Sequence, residues 1–356
     1  MNIIIRADAS IHIGSGHVMR CLVLAEALLE KAHSVSFVCR SQPGDMINFI
    51  QERGFDVFSL DEIIPVIQPQ GSADYLGWLQ CSIEEDASAF LLKIKSADIV
   101  ITDHYAIGKE WQSIIRKQLD CRIMAIDDLE RKHDADLVID QTFGRNKKSY
   151  PNISRALTGT QYALLNPNFS VLHELAYQRV VPLESIRVLV SMGGIDLPNA
   201  TLLVLKQLSK LDNITVTVLL STRAPHYISV NSFCQTKSNI KHIGFVSNMA
   251  QEMMKHDVSI GAPGATSWER ACLGLPSIII PLAENQREIC ERLVEAKVAV
   301  KVNVNDIDDQ LINAFCDLLK SWGYYHQNNL SLCDGKGTLR VMTAIEKWNN
   351  ESNDYL

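Results

Sequence analysis

The sequence predicts an α/β protein of two domains, each a parallel sheet covered by helices. Three observations predict it. Short β-rich runs alternate with longer segments of helical period. A strand followed at once by glycines occurs at the start of the chain and again after residue 186. At 356 residues the chain is also long for one domain,.

In the first half the expected strands are Ile3–Arg6, Ser34–Val38, Ile99–Asp103, Arg122–Ile126 and Leu137–Ile139. Between the first two, Val18, Leu22, Ala25 and Leu29 recur at three or four residues and mark one apolar helix face,. Strand, helix and strand in repetition imply a parallel sheet covered on both sides.

Around Asn168–Ser185 the pattern weakens, and a linker is expected near 170–185. "IRVLVSMGG" then restarts the theme, with further strands at Ile214–Leu219, Ile240–Phe245, Val258–Ile260 and Ser277–Pro281. "QLINAFCDLLKSWGYYHQNN" reads as a closing helix pair. A last helix after "CDGKG" carries Leu339, Met342, Ile345 and Trp348 on one face. The expected division is therefore residues 1–170, residues 185–335 and a C-terminal helix at 336–356.

A net charge of −7 without a Lys/Arg block removes the electrostatic footprint of a nucleic-acid binder,. Nine cysteines, none within three residues of another, argue against a zinc ribbon, a CxxC pair or a disulfide framework,. They are expected as buried small hydrophobes in a reducing compartment. "MNIIIRADAS" is not a signal peptide, and no apolar run approaches the ~18 residues of a membrane span. The expected setting is the cytoplasm, with no membrane or nucleic-acid partner, no cofactor, no metal, and a monomeric state.

In open parallel sheets ligands sit outside the carboxyl ends of strands. In the first half those positions carry Asp8 to His17, "TDHY", "IDDL" and "DQTFG". Asp103, Asp127, Asp128 and Asp140 read individually as helix caps. Asp8 lies several residues before the helix, where it would orient His17 or a loop amide. Gly14 and Gly16 form a GxG turn that lacks the third glycine of a dinucleotide site. His17 opens the helix, where the amide dipoles disfavour imidazolium and would leave a ring able to accept a proton. The competing reading is a histidine that serves only as a hydrogen-bond donor at the helix terminus.

In the second half, "SMGG" places Gly193 and Gly194 where backbone approaches a ligand closely. "GAPGATSWERACLGLPSIIIPLAENQRE" reads as a loop ending at Gly264, a helix from about Ala265 to Leu273, a Gly274 C-cap and a buried strand. Free amides at Ala265, Thr266 and Ser267 suit a diphosphate. Glu269 either accepts ribose hydroxyls or merely complements the helix dipole. Asn285 and Gln286 offer paired donors and acceptors. A diphosphate on the second domain and reactive chemistry on the first, with a cleft between, is the architecture of a nucleotide-sugar enzyme.

The run "RADASIHIGSGHVMRCLVLA" (6–25) resembles the signature of the PseG family, in which Arg6, Asp8, Gly14, Gly16, His17 and Arg20 occur together. The resemblance continues through "DHY" (103–105), "DDL" (127–129), "YALLNPNF" (162–169), "SMGGID" (191–196), "GAPGATSWE" (261–269), "ENQ" (284–286) and "DGKG" (334–337), nearly the full chain in order. Those enzymes hydrolyse UDP-2,4-diacetamido-2,4,6-trideoxy-β-L-altropyranose in pseudaminic acid biosynthesis, on a path to surface glycans. The resemblance implies a GT-B fold, two Rossmann-like domains whose parallel sheets face across a cleft, with a UDP-sugar as partner. It implies that His17 is the general base for water attacking the anomeric carbon, with C–O cleavage, inversion and no metal. It also implies that Tyr105 is a substrate or uracil-side contact. Gly193, Gly194, Ala265, Thr266, Ser267, Glu269 and Asn285 would touch UDP.

Two other readings compete: an inverting UDP-sugar glycosyltransferase of the MurG-like type, and a non-catalytic nucleotide-sugar-binding protein. An NAD-linked dehydrogenase fits less well, because the first loop lacks the full fingerprint.

Overall fold

A computed structural model of the chain describes residues 1–65, 74–181 and 184–353. The chain divides into two compact units. Unit 1 is Met1–Leu164 together with the segment from Lys336 onward, and unit 2 is Leu165–Gly335.

Unit 1 holds β1 (Asn2–Ala7), β2 (Ser34–Arg40), β3 (Asp56–Leu60), β4 (Ile99–Asp103), β5 (Arg122–Ile126), β6 (Leu137–Asp140) and β7 (Arg155–Thr158). They form one parallel sheet in the order β3-β2-β1-β4-β5-β6-β7. β1 is buried on both faces, which is why it reads as a continuous apolar run rather than an alternating one. Ile3, Ile5 and Ala7 pack with Val18, Leu22, Ala25 and Leu28 on one face. Ile4 packs with Phe90, Trp111 and Ile115 on the other.

On that second face lies a fully buried polar knot. Arg6 reaches Asp8 at 2.5 Å and Asp86 at 2.8 Å. Asp86 also accepts from Arg40 at 2.7 Å and from the Trp111 indole at 3.0 Å.

Unit 2 holds β8 (Ile186–Ser191), β9 (Ile214–Leu219), β10 (Ile240–Ile243), β11 (Val258–Gly261), β12 (Ser277–Ile279) and β13 (Ala299–Lys301). They form a second parallel sheet in the order β10-β9-β8-β11-β12-β13. In both units the strand order reverses beside the first strand, between β1 and β4 and between β8 and β11. Sites are expected at such switch points.

The expected strands all form, with ends displaced by a few residues; β10 stops at Ile243 and β12 at Ile279. β3, β7 and β13 were not expected. Each lies at a sheet edge and is short, and β3 is half-exposed along its length.

Two helix faces differ in phase from their reading. In the first helix, Gly16–Glu30, Leu29 is 53% exposed and Leu28 is the buried residue. In the last helix, Gly337–Asn353, Leu339 is 64% exposed, and the packed face is Val341, Met342, Ile345 and Trp348. At 100° per residue Leu339 falls on the side opposite that group.

The stretch expected as linker begins inside a helix, Pro167–Ala176. Asn166 caps it by accepting from the Asn168 amide at 3.0 Å, and Pro167 occupies its first turn,. Phe169, His173 and Ala176 are buried, and His173 donates to the Cys272 carbonyl at 2.6 Å. Burial of that face within unit 2 moves the division back to Leu164/Leu165.

The last helix belongs to unit 1 rather than standing alone. Arg122 lies over the Trp348 ring and donates to Asn349. A Cβ on Gly337 would stand 2.2 Å from the Ala163 carbonyl, so only glycine fits there.

The helix pair expected near the end forms as Ile307–Lys320 and Trp322–Leu332. The nine cysteines are free; eight are buried, while Cys316 is exposed. Among the described residues no helix is long and apolar enough to cross a membrane.

Candidate active site

In unit 1 the site grows from the loop between β1 and the first helix. Ser10 Oγ accepts from the His12 and Ile13 amides, and Gly14 closes the turn with φ +77°. Gly16 begins the helix and has open space where a Cβ would stand. His17, in the first turn, is buried with 7% of its surface exposed.

Its Nδ1 lies 2.6 Å from Asp103 Oδ1 at the end of β4. An ionised carboxylate only accepts, so Nδ1 carries a hydrogen, and in the neutral ring the lone pair then lies on Nε2. Nε2 has no protein partner among the described residues. This tautomer is the one a base needs.

Asp103 is ionised. Burial works to raise it, but the Arg20 guanidinium and then the His17 ring outweigh burial and hold it well below the usual carboxylate range. Arg20 grips it side-on, Nε to Oδ2 at 2.6 Å and Nη2 to Oδ1 at 2.7 Å. The remaining Arg20 nitrogen, Nη1, meets Asp128 Oδ2 at 2.6 Å, and Tyr105 OH donates to the same oxygen at 2.8 Å. Burial and then Asp128 push the Tyr105 phenol well up, so it stays neutral.

Tyr105 stands edge-on to the His17 ring at 4.5 Å and stacks on Trp78 at 5.5 Å. Tyr75 closes on both aromatics at about 5 Å. The imidazole therefore sits against an aromatic wall that excludes water from most of its surroundings.

Several sequence expectations are corrected here. Asp103 and Asp128 are not helix caps but the carboxylates that organise His17 and Tyr105. Asp127 accepts from the Leu129 and Arg131 amides and the Arg131 side chain, which closes a turn. Asp140 accepts from the Thr142 amide.

Asp8 does not orient His17 and has no exposed surface with which to touch a substrate. Its Oδ1 is taken by Arg6 and by the Arg40 amide at 2.7 Å, and its other oxygen faces His104 at 3.6 Å. Burial is the main force lowering the His104 ring to about 3, so that ring is neutral. Trp78 and Tyr75 were missed, since nothing in a short aromatic run distinguishes a site wall from a core. Arg20 had a visible signal, its i+3 spacing from His17 on one helix face.

In unit 2 the loops follow β8 and β11. Gly193 takes φ +90° with open space beside it, and Gly194 follows in the same bend. Asp196 caps the next helix, Ala200–Leu208, by accepting from the Ala200 and Thr201 amides at 2.9 and 2.8 Å.

β11 must end in glycine, because a Cβ on Gly261 would lie 2.2 Å from the Ser191 carbonyl and 2.9 Å from Arg270. The helix Ala265–Cys272 then starts at Gly264, and Gly274 takes φ +56° beyond its end. The amides of Ala265 and Thr266 have no acceptor among the described residues.

Ser267 departs from its expected role. Its amide bonds to the Gly264 carbonyl, and its hydroxyl accepts from the Gly264 amide at 3.2 Å and from Arg270 at 3.0 Å. It shapes the loop from inside, being only 4% exposed.

Glu269 Oε2 and Asn285 Oδ1 are shielded from solvent and have no hydrogen-bond partner among the described residues. Buried oxygens of this kind are costly unless something donates to them. Burial raises the Glu269 carboxyl to about 7, with Arg270 opposing. Gln286 is committed elsewhere, its Oε1 accepting from the Leu282 amide at 2.8 Å. Among the described residues there is no His, Cys, Asp and Glu group that could hold a metal ion.

Comparison with known proteins follows this division. Residues 189–330 match the glycosyltransferase family 28 C-terminal domain. An uncharacterised protein of Methanocaldococcus jannaschii, MJ1062, is 26% identical over 97% of this chain, which spans 66% of that protein's length. The spore coat polysaccharide biosynthesis protein SpsG of Bacillus subtilis is 23% identical over 97% of this chain and 98% of its own. The UDP-2,4-diacetamido-2,4,6-trideoxy-β-L-altropyranose hydrolase of Campylobacter jejuni is 24% identical over 71% of this chain and 81% of its own, so the resemblance in the sequence is matched by a curated relative.

Among solved structures, Acinetobacter baumannii MurG superposes with a TM-score of 0.63 at 15% identity, covering 97% of this chain and 99% of its own. The calicheamicin glycosyltransferase CalG4 gives 0.64 at 13%, covering 98% of each. With two parallel Rossmann-like sheets and these structural neighbours, the chain is a protein of the GT-B fold.

Proposed function

We propose that the protein is an enzyme that hydrolyses a nucleotide sugar, releasing UDP, and that its substrate is UDP-2,4-diacetamido-2,4,6-trideoxy-β-L-altropyranose. The observation that carries this reading is the His17–Asp103 pair, which leaves Nε2 as a lone-pair acceptor against an aromatic wall. Water held at Nε2 gives up a proton as its oxygen bonds to the anomeric carbon. The bond from that carbon to the UDP oxygen breaks, and attack opposite the leaving group inverts the centre. Asp103 steadies the imidazolium that forms and stays ionised throughout.

Unit 2 supplies the nucleotide side. The free amides of Ala265 and Thr266 at a helix start suit the diphosphate charge that develops on the leaving group. Gly14, Gly16, Gly193, Gly194 and Gly264 let backbone approach the ligand. Glu269 and Asn285 each present an oxygen that lacks a donor, and a ribose diol supplies donors. Tyr105 faces the sugar. The curated hydrolase from Campylobacter jejuni supports the choice of substrate.

The test is incubation with this UDP-sugar in ¹⁸O-water with EDTA, followed by NMR of the anomeric signals. Isotope in the sugar, inverted configuration and release of UDP support the reading; isotope in UDP, or no turnover with UDP bound, refutes it. The family 28 match favours a second reading, an inverting transferase. That reading requires an acceptor that becomes glycosylated and suppresses release of the free sugar.

A further inference from the structure

We propose that Arg20 is a positioning residue that sets the charge state of His17, by gripping Asp103 at two points and cancelling most of its negative charge at the imidazole. The inference rests on the reading of His17 as the base.

Asp103 Oδ1 is shared between His17 Nδ1 at 2.6 Å and Arg20 Nη2 at 2.7 Å, while Oδ2 takes Arg20 Nε at 2.6 Å. Arg20 Nη2 itself stands 3.4 Å from His17 Nδ1. An Asp–His pair without this third partner favours imidazolium, which has no lone pair left for water. The guanidinium supplies the opposing charge and keeps the carboxylate in the plane that fixes the imidazole tautomer. A lysine, a point charge without the planar fork, does only the first of these.

The groups gathered around the His17–Asp103 pair make Arg20 decisive. From β4 and the loop beyond come Asp103, His104 and Tyr105, from the end of β5 comes Asp128, and from its own helix come Arg20 and Cys21. His104 and Tyr105 are neutral, and burial pushes the Cys21 thiol well up. The charges that remain among these groups are two carboxylates and one guanidinium. Through Nη1, Arg20 also meets Asp128, which holds Tyr105. One side chain thus joins the imidazole half of the site to the phenol half.

The test reads His17 directly, by NMR titration of isotope-labelled histidine in the full-length protein. Wild type is compared with Arg20→Gln, Arg20→Lys and Asp103→Asn, and the acid limb of hydrolysis is measured on the same samples. The resolved signals of His104 and His133, whose rings are buried in unit 1, serve as the check on folding. Removing one charge this close moves the His17 midpoint up by about one to two pH units in Arg20→Gln. It moves up by less in Arg20→Lys, and moves down in Asp103→Asn.

An unmoved or lowered midpoint in Arg20→Gln, with the buried histidine signals of unit 1 intact, overturns the proposal. If that variant fails to fold, Arg20→Lys carries the test through the nitrogen shifts of His17, and an unchanged tautomer there overturns it. A midpoint that moves while the acid limb stays fixed upholds Arg20 and refutes His17 as the base, so the two readings fail separately.

Discussion

If Glu269 holds the ribose as proposed, unit 2 has a pH-dependent grip on nucleotide, and the size of the effect follows from its surroundings. Burial raises its carboxyl to about 7, and Oε2 has no donor among the described residues. Ribose hydroxyls donate to a carboxylate, so UDP favours the ionised form. That form makes up about nine tenths of the population at pH 8 and about one tenth at pH 6. Glu269 alone therefore weakens UDP binding about tenfold over this interval.

UDP's own terminal phosphate titrates nearby, so the quantity to measure is the ratio of wild-type affinity to that of Glu269→Gln at each pH, by calorimetry. The ratio falls about tenfold from pH 8 to pH 6. A ratio that does not change with pH refutes an ionised Glu269 bound to the nucleotide. Folding stability has the opposite sign. A carboxyl raised in the folded state is favourable while protonated, and that contribution is lost as pH rises toward 7.

Three further outcomes are expected. His17→Asn retains UDP binding and loses about 10²–10⁴-fold in turnover, measured by UDP release. Asp86→Ala strands Arg6 and Arg40 without their shared carboxylate and costs about 3–5 kcal/mol in urea unfolding. Burial opposes Asp86 ionisation, but Arg6 and Arg40 hold it well below the usual range. Its stabilisation is therefore present above the ordinary carboxylate pKa and lost on acidification, and the variant's acid-unfolding limb flattens. Gly261→Ala drives a methyl into the Ser191 carbonyl and lowers the stability of unit 2 by about 1–3 kcal/mol, read as a fall in Tm with unit 1 unaffected,.

The central strands were legible because parallel strands buried on both faces read as unbroken apolar runs; β4 and β5 begin and end where expected. Three of the four edge strands were not, since DVFSL, RALT and AVK are short and their patterning is local. Leu29 and Leu339 show the limit of a helical period, in which one residue of phase separates a buried face from an exposed one. His17 and the helix at Ala265 were visible because glycine loops and helix starts are local signals. Asp103 was not, because the partner that defines it lies 86 residues earlier in the chain. A carboxylate at a strand end looks the same whether it caps a helix or holds a histidine.

The return of residues 337–353 to unit 1 has a consequence for how the protein is made. Val341, Ile345 and Trp348 complete the core that begins at Ile3 and Ile5, yet they leave the ribosome after all of unit 2. Unit 2, a contiguous stretch, has every residue it needs at that moment, while unit 1 still lacks one wall. The order of maturation is therefore the reverse of the order of translation. The nascent first half keeps that apolar surface open until the last helix arrives to seal it,.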